Sequence, residues 1–348
     1  MKILYGIQGT GHGHISRARE ILPKLSEIAD IDVLVSGYNC KMTLEDKPII
    51  HKRGLSLAYD SKGGVSYLQT ALKVRPVTFL KDIHSLDVSR YDLIISDYEP
   101  VTAWASHNKL APAVALSHQA SFLSKNSPRP KRTSLLAEQI LKNFAPCKHA
   151  VGFHFLRYDS FILPPVIRKE VLELEVEKGK HITVYLPAFH HDTLFTLISQ
   201  LKSVEWHIFS PSCSEIIERE NVIVHPVGNR PFLKSMRSGM GVITSAGFET
   251  CAETMYLGKK LLVIPIRNQY EQLCNAAALK EMGVHVIKRV NKNFVKRVQE
   301  WLDDPRVITI QDIADIDTLV QELLEYADVS ACPKNWSNKM QSLPETMA

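Results

Sequence analysis

Short runs of β-branched and apolar residues, each followed by a longer amphipathic stretch, are what most constrains the fold of this chain. "KILYGI", "IDVLVSG", "YDLIISD", "APAVALS" and "HAVGFH" all lie before residue 155. Strands alternating with helices imply a parallel sheet covered by helices on both faces. The same grammar restarts at "HITVYLP" and continues through "EWHIFS", "NVIVHP", "MGVITS", "KKLLVIP" and "GVHVIK". Between the two series lies "FLRYDSFILPPVIRKEV", where Pro164-Pro165 blocks regular structure. The expected organisation is α/β: a unit over residues 1–156, a linker over 157–170, a second unit over 171–330 facing the first, and a polar tail over 331–348.

Composition narrows the functions open to such a chain. A formal net charge of +5 over 348 residues is too slight to require a polyanionic partner, so nucleic acid is not expected. The first residues lack the long apolar core of a signal peptide, and no run approaches the roughly 20 apolar residues of a membrane span. Cys40, Cys147, Cys213, Cys251, Cys274 and Cys332 show no paired spacing, so neither a zinc site nor a disulfide framework is expected. These features predict a reduced, cytoplasmic chain.

After the first strand comes "GIQGTGHGHISRARE", with Gly9, Gly11 and Gly13 interleaved with His12 and His14. Glycines let a backbone turn sharply beside a ligand, and the following helix offers unpaired N–H groups to an anion. A dinucleotide site would need glycine where His14 stands and an acidic residue at the end of the second strand, where the chain reads "VSG". Neither requirement is met. The loop instead presents an imidazole at the carboxyl edge of a parallel sheet, and a histidine there can act as a general base. Position alone does not choose between His12 and His14. Asp97 closes the strand "DLIISD" on the same edge, where an aspartate either caps the next helix or orients a histidine.

A second cradle stands in the segment "TSAGFETCAETMYLGKKLLVIPIRNQYEQLCNAA". Ser245, Ala246 and Gly247 make a small-residue turn into a helix beginning with Phe248, Glu249 and Thr250. Its N–H groups, with the Ser245 and Thr250 hydroxyls, suit a diphosphate. Glu253, one turn deeper, suits a ribose diol, while Gln269, Glu271 and Gln272 at the next strand end suit sugar hydroxyls.

In order and spacing these residues resemble the donor-nucleotide motif of inverting GT-B glycosyltransferases. The likeness is to the UDP-glycosyltransferases, to the N-acetylglucosaminyltransferase that completes the peptidoglycan lipid precursor, and to bacterial and archaeal glycosyltransferase-like proteins. The matching positions read Ser245, Gly247, Thr250, Glu253, Glu271-Gln272 and Asn275-Ala276. The family's Gly-His pair falls on Gly13-His14, which favours His14 over His12, and in some members the aspartate matching Asp97 partners the base. The resemblance implies two Rossmann-like domains facing across a cleft, the first for the acceptor and the second for the nucleotide-sugar. Ser245 replaces a histidine often found in the donor turn, and Glu271 replaces an aspartate.

The resemblance implies metal-independent transfer of a sugar from a nucleotide-sugar, a UDP-sugar by the same likeness, to an acceptor hydroxyl with inversion. His14 would be the base, and the nucleotide-sugar a substrate rather than a cofactor. Two other readings stay open: a nucleotide-sugar epimerase on the same fold, and a nucleotide-sugar-binding protein without turnover. The loop "SKNSPRPKRTS" carries Lys125, Arg129, Lys131 and Arg132 on the acceptor side, and would offer peripheral contact to an anionic membrane if it is not simply solvated. The acceptor itself, whether lipid-linked, glycan or small molecule, does not follow from the motifs.

Overall fold

The computed structural model describes residues 1–10, 12–37, 49–55 and 75–327. Its first sheet has seven strands in the order β3-β2-β1-β4-β5-β6-β7. They are β1 (Lys2–Gln8), β2 (Asp30–Ser36), β3 (Ile49–Lys52), β4 (Leu93–Asp97), β5 (Ala113–Ser117), β6 (His149–Phe153) and β7 (Ile162–Leu163). Every pairing in it is parallel. The apolar runs read from the sequence are the central strands, buried on both faces as parallel strands under helices must be.

The second sheet has the order β10-β11-β9-β8-β12-β13-β14. Its strands are β8 (His181–Tyr185), β9 (Glu205–Ser210), β10 (Ile217–Arg219), β11 (Val222–Pro226), β12 (Gly241–Thr244), β13 (Lys260–Val263) and β14 (His285–Val286). All pairs are parallel except the edge hairpin of β10 with β11.

In each sheet the direction of winding reverses once, between β1 and β4 in the first and between β8 and β12 in the second. Helices leave such a switch point on opposite faces, opening a crevice at the strands' carboxyl ends. The first switch point carries Gln8 and Asp97, and the second leads straight into Ser245.

Four helices matter to the site: α1 (His12–Ser26), α2 (Pro100–Lys109), α3 (Leu135–Asn143) and α4 (Phe248–Tyr256). A fifth, α5 (Tyr270–Glu281), follows β13, and α6 (Ile316–Leu324) is the last helix among the described residues.

Two boundaries differ from the sequence reading. β7 lies inside the expected linker and pairs with β6, so the first sheet runs on to residue 163. α6, expected in the second unit, packs on α1 of the first. Leu319, Val320 and Leu323 join the core containing Leu22 and Leu25, and Lys24 lies 3.3 Å from Asp317. Burying each such leucine contributes about 1.5–3 kcal/mol, which an amphipathic helix obtains from whichever apolar face it meets. The same core takes in Phe155, Ile167 and Phe248, so apolar packing continues from one unit to the other.

Candidate active site

His14 sits in the first turn of α1 and is 8% exposed. Its Nδ1 lies 2.7 Å from Oδ1 of Asp97, which is fully buried at the end of β4. Asp97 does not cap α2. Glu99 does, accepting from the N–H groups of Val101 and Thr102 at 2.8 and 2.6 Å. The turn between these acids is held by Tyr98 at φ 53°, a left-handed conformation uncommon for a bulky residue and frequent at functional sites.

Arg17, one helical turn beyond His14, donates to both oxygens of Asp97, Nε to Oδ2 at 3.0 Å and Nη2 to Oδ1 at 2.6 Å. Its Nη1 donates across to Glu249 of α4 at 3.0 Å. Burial pushes the Asp97 carboxyl up, but Arg17 and His14 overcome it and hold it below the usual range. Burial likewise opposes the charge on Arg17, and Asp97 and Glu249 outweigh it. With His14 neutral the four groups sum to one negative charge, so protonating the imidazole brings the cluster to neutrality.

Gly13 lies directly against this contact. A Cβ there would lie 2.3 Å from Glu249 Oε2. Gly9 ties the loop to β2, its N–H donating to the Ser36 carbonyl at 2.7 Å. Gly11 and the His12 side chain lie outside the described residues.

The Ser245–Gly247 turn is braced from the first unit by His118, which follows β5. Its ring stacks on Phe248 at 4.0 Å, Nδ1 lies 2.7 Å from the Phe153 carbonyl, and Nε2 lies 2.8 Å from Asn275 Oδ1. Asn275 in turn donates to the Ala246 carbonyl at 3.0 Å. Both ring nitrogens thus face oxygen acceptors, which only a protonated ring satisfies together. Burial opposes that protonation and pulls the pKa down. Ser245 is 8% exposed, and the space beside Gly247 is open for 4 Å.

A cavity of about 110 Å³ lies between the units, with His14 in its wall. The first unit lines it with Gln8, Tyr98 and Gln119, and with Ile140, Leu141 and Phe144 at one end of α3. The second unit contributes Gln269 and Glu271. Because Nδ1 of His14 faces Asp97, Nε2 is the nitrogen left for a ligand.

Of the predicted donor residues, Glu271 faces the cavity and accepts from Gln119 at 2.9 Å. Gln269 caps α5, its Oε1 accepting from Gln272 N–H at 2.7 Å. Gln272 turns its own Oε1 to the Ile266 N–H at 2.9 Å and is not in the cavity wall. Glu253 is 3% exposed, and its two oxygens accept from Arg168 Nε and Nη2 at 2.6 and 2.8 Å. In the basic loop, Arg129 is bound inward by Glu138 at 2.6 Å and by the Phe122 carbonyl at 2.7 Å, leaving Lys125, Lys131 and Arg132 exposed. Two groups of potential metal ligands occur among the described residues, His181 with Glu205 and His207, and His190 with His191 and Asp192. Neither lines the cavity.

Sequence reasoning missed Arg17, Arg168, His118, Gln119 and Tyr98. Arg17 carried a usable signal, since a residue three positions after His14 shares its face of a helix. The others act through neighbours far away in sequence.

Two facing parallel-sheet units with polar side chains at both switch points define a GT-B glycosyltransferase fold. The model of glycosyl transferase family 1 matches residues 1–303, and the chain belongs to that family. An uncharacterized glycosyltransferase of Methanosarcina acetivorans is 23% identical, over 93% of this chain and 96% of its own. The structure of Arabidopsis thaliana UGT89C1 complexed with UDP is similar with a TM-score of 0.57, at 12% identity and over 93% of this chain and 94% of that one. MurG of Acinetobacter baumannii gives 0.54, at 13% identity over 98% of each chain. At these identities the structural likeness is one of fold. No helix among the described residues is long and apolar enough to cross a membrane.

Proposed function

We propose that the protein moves a sugar from a nucleotide-sugar, specifically a UDP-sugar, to an acceptor hydroxyl with inversion, His14 acting as the general base. The observation that carries this reading is the His14–Asp97 contact in the wall of the cavity between the units. Asp97 keeps the Nδ1 proton in place, so Nε2 takes the acceptor's proton as its oxygen attacks the anomeric carbon. The C–O bond to the diphosphate breaks on the opposite side. Asp97, 2.7 Å from Nδ1, is the counter-charge beside the imidazolium as it forms.

The departing diphosphate takes its stabilisation from the N-terminus of α4 at Gly247–Thr250 and from the Ser245 and Thr250 hydroxyls, with no metal required. Phe248 is held beneath this turn by His118. Gln269 and Glu271 hold the donor sugar, and Gln272 contributes by bracing their loop. If Glu253 binds the ribose, it does so while paired with Arg168. UDP is supported as the nucleotide by the UDP complex of the plant neighbour. The reading places the protein in the cytoplasm, with Lys125, Lys131 and Arg132 as its basic face toward anionic lipid.

The test is a screen of sugar-nucleotides against an acceptor library, following nucleotide release and the anomeric configuration of the product. Inverted product that disappears in His14→Ala but persists in His12→Ala supports the proposal. An isomerised sugar-nucleotide formed without acceptor makes the protein an epimerase, and tight UDP binding without turnover across the library makes it a binding protein.

A further inference from the structure

The second sheet carries a cluster of ligating side chains at the edge turned away from the cleft. His181 opens β8 and Glu205 opens β9, and the parallel register sets the two side by side. His207, two residues along β9, stands on the same face as Glu205, because side chains alternate along a strand. One ligand atom from each of the three lies within 4.8 Å of the other two. These residues mark the amino ends of the strands, whereas the turn at Ser245 follows the carboxyl end of β12.

Both imidazoles are braced from behind by one residue, Ser235 of the helix Asn229–Ser238. His181 Nε2 lies 2.9 Å from the Ser235 carbonyl, and His207 Nδ1 lies 3.3 Å from the Ser235 hydroxyl, which Thr183 Oγ1 meets at 2.7 Å. A carbonyl only accepts, so Nε2 of the His181 ring carries the proton, and Nδ1 of the neutral ring keeps its lone pair. The neighbour beside that nitrogen is Gly179, which has no side chain to cover it. The other nitrogen of His207, Nε2, lies 2.7 Å from Glu205 Oε1. Metal-binding histidines are oriented in this way, the nitrogen away from the ion being fixed by a backbone carbonyl or another oxygen.

We propose that His181 Nδ1, His207 Nε2 and the Glu205 carboxylate bind one zinc ion, or a similar late first-row dication, with water completing a tetrahedral shell. Imidazole favours such metals over Ca²⁺ and Mg²⁺, which take oxygen ligands, and the charge of Lys259, which reaches His181, disfavours an ion held by charge alone. The site uses no cysteine, so the cysteine spacings that announce a zinc site in a sequence do not reveal it. The two rings stack at 4.0 Å, 10° from parallel. To bring both lone pairs to an ion about 2.0–2.2 Å from each ligand, His207 turns out of the stack, and its Nε2 proton leaves to solvent as the metal takes its place. The Glu205 side chain, 53% exposed, follows. The ion ties β8 to β9, and through Ser235 to the covering helix. It stabilises the second unit and takes no part in chemistry at the opposite edge.

The whole chain, stripped with a chelator, is titrated with Zn²⁺ by calorimetry and with Co²⁺ by visible absorption. A single equivalent should bind, Co²⁺ should show the intense bands of a four-coordinate site, and Zn²⁺ should raise the melting temperature. Mg²⁺ and Ca²⁺ should do neither. Glu205→Gln and His207→Asn should each weaken Zn²⁺ binding about tenfold or more. Glu205 is exposed, so its variant tests the site should His207→Asn not fold. His190→Gln, in the other group of potential ligands, should bind like wild type. Absence of saturable one-to-one binding, folded site variants that bind like wild type, or a loss that follows His190→Gln instead overturns the proposal.

Discussion

Arg17 and His14 meet on a single oxygen of Asp97. Arg17 Nη2 lies 2.6 Å from Asp97 Oδ1, and His14 Nδ1 approaches the same atom at 2.7 Å. The carboxylate in contact with His14, the proposed base, is therefore also the counter-ion of a buried guanidinium. Asp97→Asn should lower turnover by about 10²–10⁴ through loss of imidazolium stabilisation. It should also lower unfolding free energy by roughly 3–5 kcal/mol, because Arg17 loses its main partner. Nucleotide-release rates and urea titration check the two effects, and a variant with normal turnover would leave His14 without its partner.

Gly13 and Glu249 form a steric pair across the cleft. In Gly13→Ala the new Cβ displaces the Glu249 carboxylate and so weakens its contact with Arg17. Contacting residues couple by about 0.5–3 kcal/mol, so the loss in Gly13→Ala should shrink by that amount when Glu249→Ala is already present. A double-mutant cycle on melting or urea midpoints measures this, and strict additivity would mean the two residues do not interact.

Glu253 separates two roles cleanly. Burial pushes its carboxyl up while Arg168 opposes the shift, so neutralising one partner strands the other. Glu253→Gln should cost roughly 3–5 kcal/mol with no nucleotide present. If Glu253 also binds the ribose, the additional stabilisation by UDP should fall in the variant. Thermal scans with and without UDP distinguish these, and an unaltered UDP increment removes Glu253 from the nucleotide site.

Two histidines should make the fold acid-sensitive. His118 and His154 are buried, and desolvation pulls both below the ordinary histidine value of 6.5. A group with a lowered folded pKa binds fewer protons in the native state, so its contribution is present above the unfolded pKa and is lost as pH falls through the folded one. Stability should therefore decline as pH drops below about 6.5, before most carboxylates titrate. His154→Phe should flatten that slope in urea titrations, and an unchanged slope would assign the acid sensitivity elsewhere.

The basic loop predicts binding to anionic membrane. Lys125, Lys131 and Arg132 are exposed beside Leu135 and Leu136. Each basic side chain near such a surface contributes about 1 kcal/mol. Charge reversal at all three should release the protein from phosphatidylserine vesicles in co-sedimentation. Equal binding to neutral vesicles would eliminate the electrostatic contact.

The sequence by itself determined the two parallel sheets, the order of the motifs and the sheet edge on which each stands. Alternation of buried strands with amphipathic helices is a local signal, and the residue ending a parallel strand must emerge at its carboxyl edge. It could not say which side chains meet there. Asp97 ends β4 and Glu99 follows it, and either suits a cap; packing gave the cap to Glu99 and sent Asp97 to His14, 83 residues away in sequence. Glu253 suited a sugar by chemistry, but the linker brought Arg168 to it from 85 residues away. Glu249 likewise found Arg17 across 232 residues. A buried charge must be paired, and the partner is whichever opposite charge the packed elements bring within hydrogen-bond reach, so these pairings were decided only by tertiary structure.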